Sequence, residues 1–280
     1  MKKITLEELL SAGCHFGHQV NRSNPRANQF IFESRANVHI IDLEQTYKGL
    51  IAAGEFVKGL AERGGTLVIV GTKRQAKQVV ENQTAKAREV TPDSIFYIAS
   101  RWIGGTLTNF PEVSKNFKRL EELEELIKTD RSKEYTKREL SLFERELNKL
   151  KSYYEGIRNM KNVPDALFII DTHFEKTAVN EAKRSGIKTV GIVDTNGDPT
   201  SVTHAIPAND DAVGSIELIT SYIIDAWIEG AREAQKQEAP ARQSPDGSSR
   251  MAGGRIKNQE EKKKAQEDKK EAKKNEKAKN

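Results

Sequence analysis

The chain holds one cysteine, Cys14, so it can form no internal disulfide and must draw its stability from burial. No apolar run approaches the roughly 18 to 20 residues that a membrane helix needs, so no helical span is expected. The opening residues, MKKITLEELLSAG, contain no apolar stretch of signal-peptide length, and a cytoplasmic location is the expectation. Neither GxxxxGK[ST] nor GxGxxG occurs, which removes the two common glycine-rich nucleotide loops. No zinc-knuckle spacing and no Ser-His-Asp set is visible, so an enzyme is not expected, nor a catalytic residue or a cofactor. Aromatic residues make up 6% of the chain, and the mean hydropathy is −0.68. That is polar for 280 residues, and part of the chain is expected to stay outside any core.

What is abundant is charge, at 31% of residues, and it is unevenly placed. Residues 255–280 hold eleven Lys and Arg against six Asp and Glu, a surplus of five that equals the whole net charge of +5. The rest of the chain is balanced, thirty-five against thirty-five. Within it residues 1–110 carry fourteen basic and ten acidic side chains, whereas residues 159–231 carry five and eleven. A basic first half and a basic tail point to a polyanionic partner.

Thr5 and Glu8 are spaced as a capping box ahead of Leu6, Leu9 and Leu10, which predicts a short helix ended by Gly13. Gln19 to Asn37 follows neither hydrophobic period and groups Arg22, Arg26 and Arg35 with Phe30 and Phe32, the pattern of an exposed basic loop. Beyond it, short apolar runs alternate with helical ones. The predicted strands are Val38–Ile41, Thr66–Val70, Ile95–Ile98, Ala166–Ile170, Thr189–Val193 and Ala205–Ile206. The predicted helices are Leu43–Arg63, Arg74–Glu89, Lys176–Ser185 and Asp211–Arg232. Near-continuous apolar strands separated by helices predict an α/β fold, with a doubly wound, mainly parallel, flavodoxin-like sheet.

Residues 110–158 break the alternation. Leu140, Phe143, Leu147, Leu150, Tyr154 and Ile157 step by three and four, and Thr136 with Glu139 forms a second capping box. Val113, Phe117, Leu120 and Ile127 keep the same period, interrupted by Glu124. Two helices joined near Thr129 to Tyr135 predict an antiparallel coiled-coil hairpin inserted into the α/β domain of residues 1–109 and 159–231. From residue 232 to 280 a Lys, Glu and Ala-rich tail with almost nothing to bury is expected to be disordered.

Ligands of open α/β sheets gather beyond the carboxyl ends of the strands. Gly71-Thr72-Lys73-Arg74 opens a helix there and suits a phosphate, or else is an ordinary strand-to-helix turn. Asp171, Asp194, Asp198, Asp210 and Asp211 could hold Mg²⁺, but the expected role is architectural: a turn at Asp198, and caps for the last helix from Asp210 and Asp211. His15 and His18 supply only two nitrogens, and no metal site is expected. In Ser100 to Phe110, Arg101 and Trp102 pair a cation with an aromatic beside Gly104-Gly105. That pairing serves either an RNA surface or an anchor for the hairpin root.

Several segments together resemble the family of the second protein of the bacterial small ribosomal subunit. They are Leu9-Leu-Ser-Ala-Gly-Cys-His-Phe-Gly-His18, Asn24-Pro25, Phe30-Ile-Phe32, Val38-His-Ile-Ile-Asp-Leu43, Val70-Gly-Thr-Lys73 and Arg101 to Asn109. Pro164 to Asp171, Val193-Asp-Thr-Asn196 and Pro207-Ala-Asn-Asp-Asp211 continue the match in unbroken order. Lys188 departs from it, standing where a proline often follows Gly-Ile, and the basic tail lies outside it. The resemblance implies a structural protein bound to small-subunit ribosomal RNA near the junction of head and body. It also implies neighbouring small-subunit proteins as partners, including recruitment of the large first one, with no membrane and no small-molecule substrate. On that footing the candidate RNA-binding residues are Arg22, Arg26, Arg35, Lys73, Arg74, Lys77, Arg101, Trp102, Lys115, Lys118 and Arg119. A metal-dependent phosphoryl-transfer enzyme on the same sheet and a free adaptor using the hairpin are the competing readings.

Overall fold

The computed structural model describes residues 3–129 and 135–238. The predicted hairpin tip at 130–134 and the Lys-rich run at 239–280 lie outside the described residues. The first turn begins as its capping box requires: Glu8 N donates to Thr5 Oγ1 at 3.2 Å and Thr5 N to Glu8 Oε2 at 2.9 Å, starting α1 (Leu6–Ser11).

The basic segment is not a loop. After β1 (Phe16–Gln19) it forms two 3-10 turns, Val20–Arg22 and Pro25–Phe30, and then β2 (Ile31–Arg35). Ala36 and Asn37, at φ 49° and 64°, make a tight hairpin into β3 (Val38–Ile41), the backbone that primed two-residue turns demand. These strands pair antiparallel in the order β1-β3-β2. Val38–Ile41 is therefore not part of the parallel sheet. Its buried residues alternate with half-buried ones, as in a strand covered on one face.

The main sheet contains β4 (Leu67–Val70), β5 (Ile95–Ile98), β6 (Ala166–Ile170), β7 (Lys188–Val193) and β8 (His204–Pro207). All its pairs are parallel, in the order β5-β4-β6-β7-β8. Counted along the sheet this is the 2-1-3-4-5 arrangement, with its switch point between β4 and β6. α2 (Leu43–Glu62), α3 (Arg74–Arg88) and α7 (Val213–Glu238) cover one face with Leu50, Val80 and Trp227. The other face packs on α6 (Lys176–Ser185) and on Trp102, Leu107 and the root of α4 (Phe110–Lys128). Central β6 is buried at every position, so its run of five apolar residues has no polar alternation to show.

α4 and α5 (Lys137–Tyr154) pack on each other. Phe117 and Tyr154 meet edge-on with ring centres 5.7 Å apart, and Arg119 grips both oxygens of Glu146 at 2.9 and 3.1 Å. Val113 and Leu120 are buried in the core on the sheet's second face. Glu124, which interrupts the apolar period of α4, receives Lys151 at 2.6 Å and Arg158 at 3.5 Å. The interruption is thus a charged seam that ties α4 to α5 and to Arg158. α5 opens on its own capping box, Thr136 with Glu139. α7 runs on to Glu238, past the expected helix end at 232, and Lys58 of α2 braces it by binding Glu229 at 2.9 Å and Glu233 at 2.8 Å. Gly230 lets the two helices touch, because a Cβ there would overlap the Lys58 carbonyl oxygen.

Candidate nucleic-acid interface

The strand ends are occupied by the protein's own groups. Lys73 caps the start of α3 with its backbone, while its ammonium reaches Asp171 at 2.6 Å and Asp210 and Asp211 at 2.8 Å each. Burial opposes that charge, but Asp210, Asp171 and Asp211 outweigh it and hold Lys73 protonated well above its ordinary range. Asp171 sits at φ 67°, a left-handed position that Asp tolerates, and its other oxygen accepts from His173 N at 2.9 Å and Phe174 N at 2.8 Å. Thr72 donates its N–H and hydroxyl to Glu175. A carboxylate therefore stands where a bound phosphate would sit, and burial pushes Glu175 above its usual range. The charge of Lys73 is spent on two buried carboxylates, Asp171 and Asp210, and on the exposed Asp211.

Trp102, a candidate RNA contact, is held in the fold by a polar partner of its own. It is 7% exposed, and its Nε1 donates to Glu181 Oε1 at 3.1 Å. The same carboxylate accepts from Gly105 N at 2.8 Å and Leu107 N at 3.1 Å. Burial alone would raise Glu181, yet these donors hold it below its ordinary range. The Gly-Gly segment and Trp102 thus wrap a carboxylate of α6 just ahead of α4. Asp210 and Asp211 do not cap α7. Asn209 Oδ1 shapes the turn just ahead of the helix, accepting from Asp211 N at 2.8 Å and Ala212 N at 3.0 Å, while Asp210 and Asp211 bind Lys73. Asp198 does make its expected turn, accepting from Thr200 N at 3.0 Å.

The fold brings His18 to Asp194 and Asp210, and each of the three offers a ligand atom within 4.8 Å of the others. His18 Nδ1 is 3.1 Å from Asp194 Oδ2, and that carboxylate holds the imidazole above its ordinary range. Asp210 Oδ2 is buried without a hydrogen-bond partner. One imidazole and two carboxylates could hold a divalent cation of the zinc class. Sequence reasoning saw only His15 and His18 as nitrogens, because the carboxylates join from the far ends of β7 and β8.

The other candidates differ in how far their charge is spent. Arg119 is paired with Glu146 and Lys115 with Glu112 at 2.6 Å. Arg22, Arg35, Arg74, Lys77, Arg101 and Lys118 are exposed. Arg22 and Arg26 come together in a cleft of about 620 Å³, joined by Lys176 and Lys183 from α6. The acid lining that cleft, Asp198, is paired with Arg26. Lys176 and Lys183 escaped the sequence reading, although a spacing of seven on a helix places them on one face. Asp171, Asp194, Asp210 and Asp211 do not line this cleft, and the first three are at most 3% exposed. That arrangement disfavours an open metal-dependent catalytic site.

The family model described as ribosomal protein S2 matches residues 9–230. The chain belongs to the ribosomal protein S2 family. Among its relatives, the small ribosomal subunit protein uS2 of Bifidobacterium longum (strain DJO10A) is 45% identical over 249 residues, which cover 88% of this chain and 86% of the relative. The uS2 of Bdellovibrio bacteriovorus is 42% identical over 233 residues, covering 83% and 72%. Membership in the S2 family makes the chain a ribosomal protein and not an enzyme. Among the described residues no helix is long and apolar enough to cross a membrane.

Proposed function

We propose that the chain is a cytoplasmic constituent of the small ribosomal subunit that binds small-subunit ribosomal RNA through phosphate neutralisation. The observation that carries this reading is the cleft of Arg22, Arg26, Lys176 and Lys183, whose acid is already paired. Four cations on three elements, the two 3-10 turns and α6, suit a bent phosphate backbone, and their position fixes register without reading bases. Arg35, Arg74, Lys77, Arg101 and Lys118 extend the contact, while Lys115 and Arg119 contribute after exchanging their carboxylate partners. Lys73 and Trp102 stand behind this surface and support it. The α4–α5 pair acts as a coiled-coil hairpin. On the family resemblance, the protein sits near the junction of head and body and supports recruitment of the large first small-subunit protein.

The test is binding of the full chain and its Arg22→Ala, Lys176→Ala, Lys183→Ala triple variant to small-subunit ribosomal RNA across a salt series. Losing three phosphate contacts should flatten the log-log salt slope by about 2 to 3. An unchanged slope would remove the cleft from the interface.

A further inference from the structure

Phe174 is 62% exposed, and in sequence it lies between His173 and Lys176, both of which line the cationic cleft. One exposed apolar side chain is ordinary on a protein surface; its setting here is not. The turn that presents it is held firmly. Its own N–H and that of His173 both donate to Asp171 Oδ1, at 2.8 and 2.9 Å. The second oxygen of Asp171 is held by Lys73 at 2.6 Å, and Glu175, the next residue, accepts from Thr72. Buried partners therefore fix the backbone on both sides of a ring that itself faces solvent.

Phe174 lies just ahead of α6, two residues before Lys176 on the helix that also carries Lys183 into the cleft. Cations that track a phosphate backbone, next to an aromatic face, are the combination by which proteins hold single-stranded nucleic acid. In a regular duplex the bases are stacked on one another and offer no free face to such a ring. Asn24, Asn180 and Ser201 line the same cleft and supply the amide and hydroxyl groups that an unpaired base edge would meet.

We propose that Phe174 stacks against an unpaired base of the RNA strand whose phosphates the cleft neutralises, so that this surface takes a loop or bulge and not a continuous duplex. The inference rests on the cleft as an RNA interface and adds the kind of RNA element that fits it. A ring on a rigid turn loses little freedom on binding, which favours a stacked contact over a flexible one.

The full chain is bound to two RNA probes of equal length and charge across a salt series. One carries an unpaired loop containing a fluorescent adenine analogue; the other holds the same analogue in a continuous duplex. The wild type should bind the looped probe tighter on the order of tenfold and quench its fluorescence. Phe174→Ala should lose both the preference and the quenching while keeping the salt slope, and Phe174→Tyr should restore them. Equal affinity of the wild type for the two probes overturns the proposal. So does a Phe174→Ala variant that keeps preference and quenching. In both cases the cleft survives if the Arg22, Lys176 and Lys183 triple variant flattens the slope; an unflattened slope in that variant defeats cleft and stacking together.

Discussion

Replacing Glu181 by Gln keeps the shape of the side chain but turns one acceptor oxygen into a donor. Glu181 Oε1 accepts from Trp102 and Gly105 at 3.1 and 2.8 Å, and Oε2 from Leu107 and Thr108 at 3.1 and 3.4 Å. Whichever oxygen becomes the amide nitrogen, two N–H donors lose their acceptor and face another donor. Bonds to a charged acceptor contribute about 1.5 to 3 kcal/mol each. Because the side chain is only partly buried, solvent brings the pair to the low end, a loss of about 2 to 3 kcal/mol. Urea unfolding followed by circular dichroism measures it. The folded carboxyl lies below its unfolded range, so its stabilisation is present above the unfolded pKa and disappears as pH falls through the folded one. The gap between wild type and variant should therefore close in acid. A loss under about 1 kcal/mol at neutral pH, or a gap that does not vary with pH, would refute this account of the Gly-Gly segment.

Lys73→Met should destabilise the fold by about 3 kcal/mol, since it leaves buried carboxylates without their cation; unfolding of the variant checks this, and an intact stability with lost RNA binding would return Lys73 to the interface. Gly156→Ala should cost about 2 to 3 kcal/mol in the same measurement, because its Cβ would overlap the Tyr97 carbonyl oxygen. Gly104→Ala, whose Cβ would meet nothing closer than 3.9 Å, should change the stability by less than about 1 kcal/mol.

Local order is readable wherever neighbours in sequence settle it. Both capping boxes, Thr5 with Glu8 and Thr136 with Glu139, form as spaced, since three residues suffice to place acceptor and donor. The apolar runs of β4 to β8 mark a buried parallel sheet. Val38–Ile41 misleads because a short apolar run does not state its partner. Its pairing with β1 and β2 depends on a hairpin turn of Ala36 and Asn37 that carries no glycine.

The site is less legible, because a charged side chain in a sequence does not reveal what it faces. Lys73 and Arg101 look alike in one dimension; folding places three carboxylates against the first and leaves the second exposed. Nothing local in the sequence shows that Trp102 donates its N–H to Glu181, 79 residues away. By itself the sequence determined the strands of the parallel sheet and the helices around it, though not β1 or β2, through periodicity and local spacing, and the family, through motifs kept in one order. Only the tertiary structure decided which cations remain available to a polyanion, because pairing of charges depends on distances across the fold that no local pattern records.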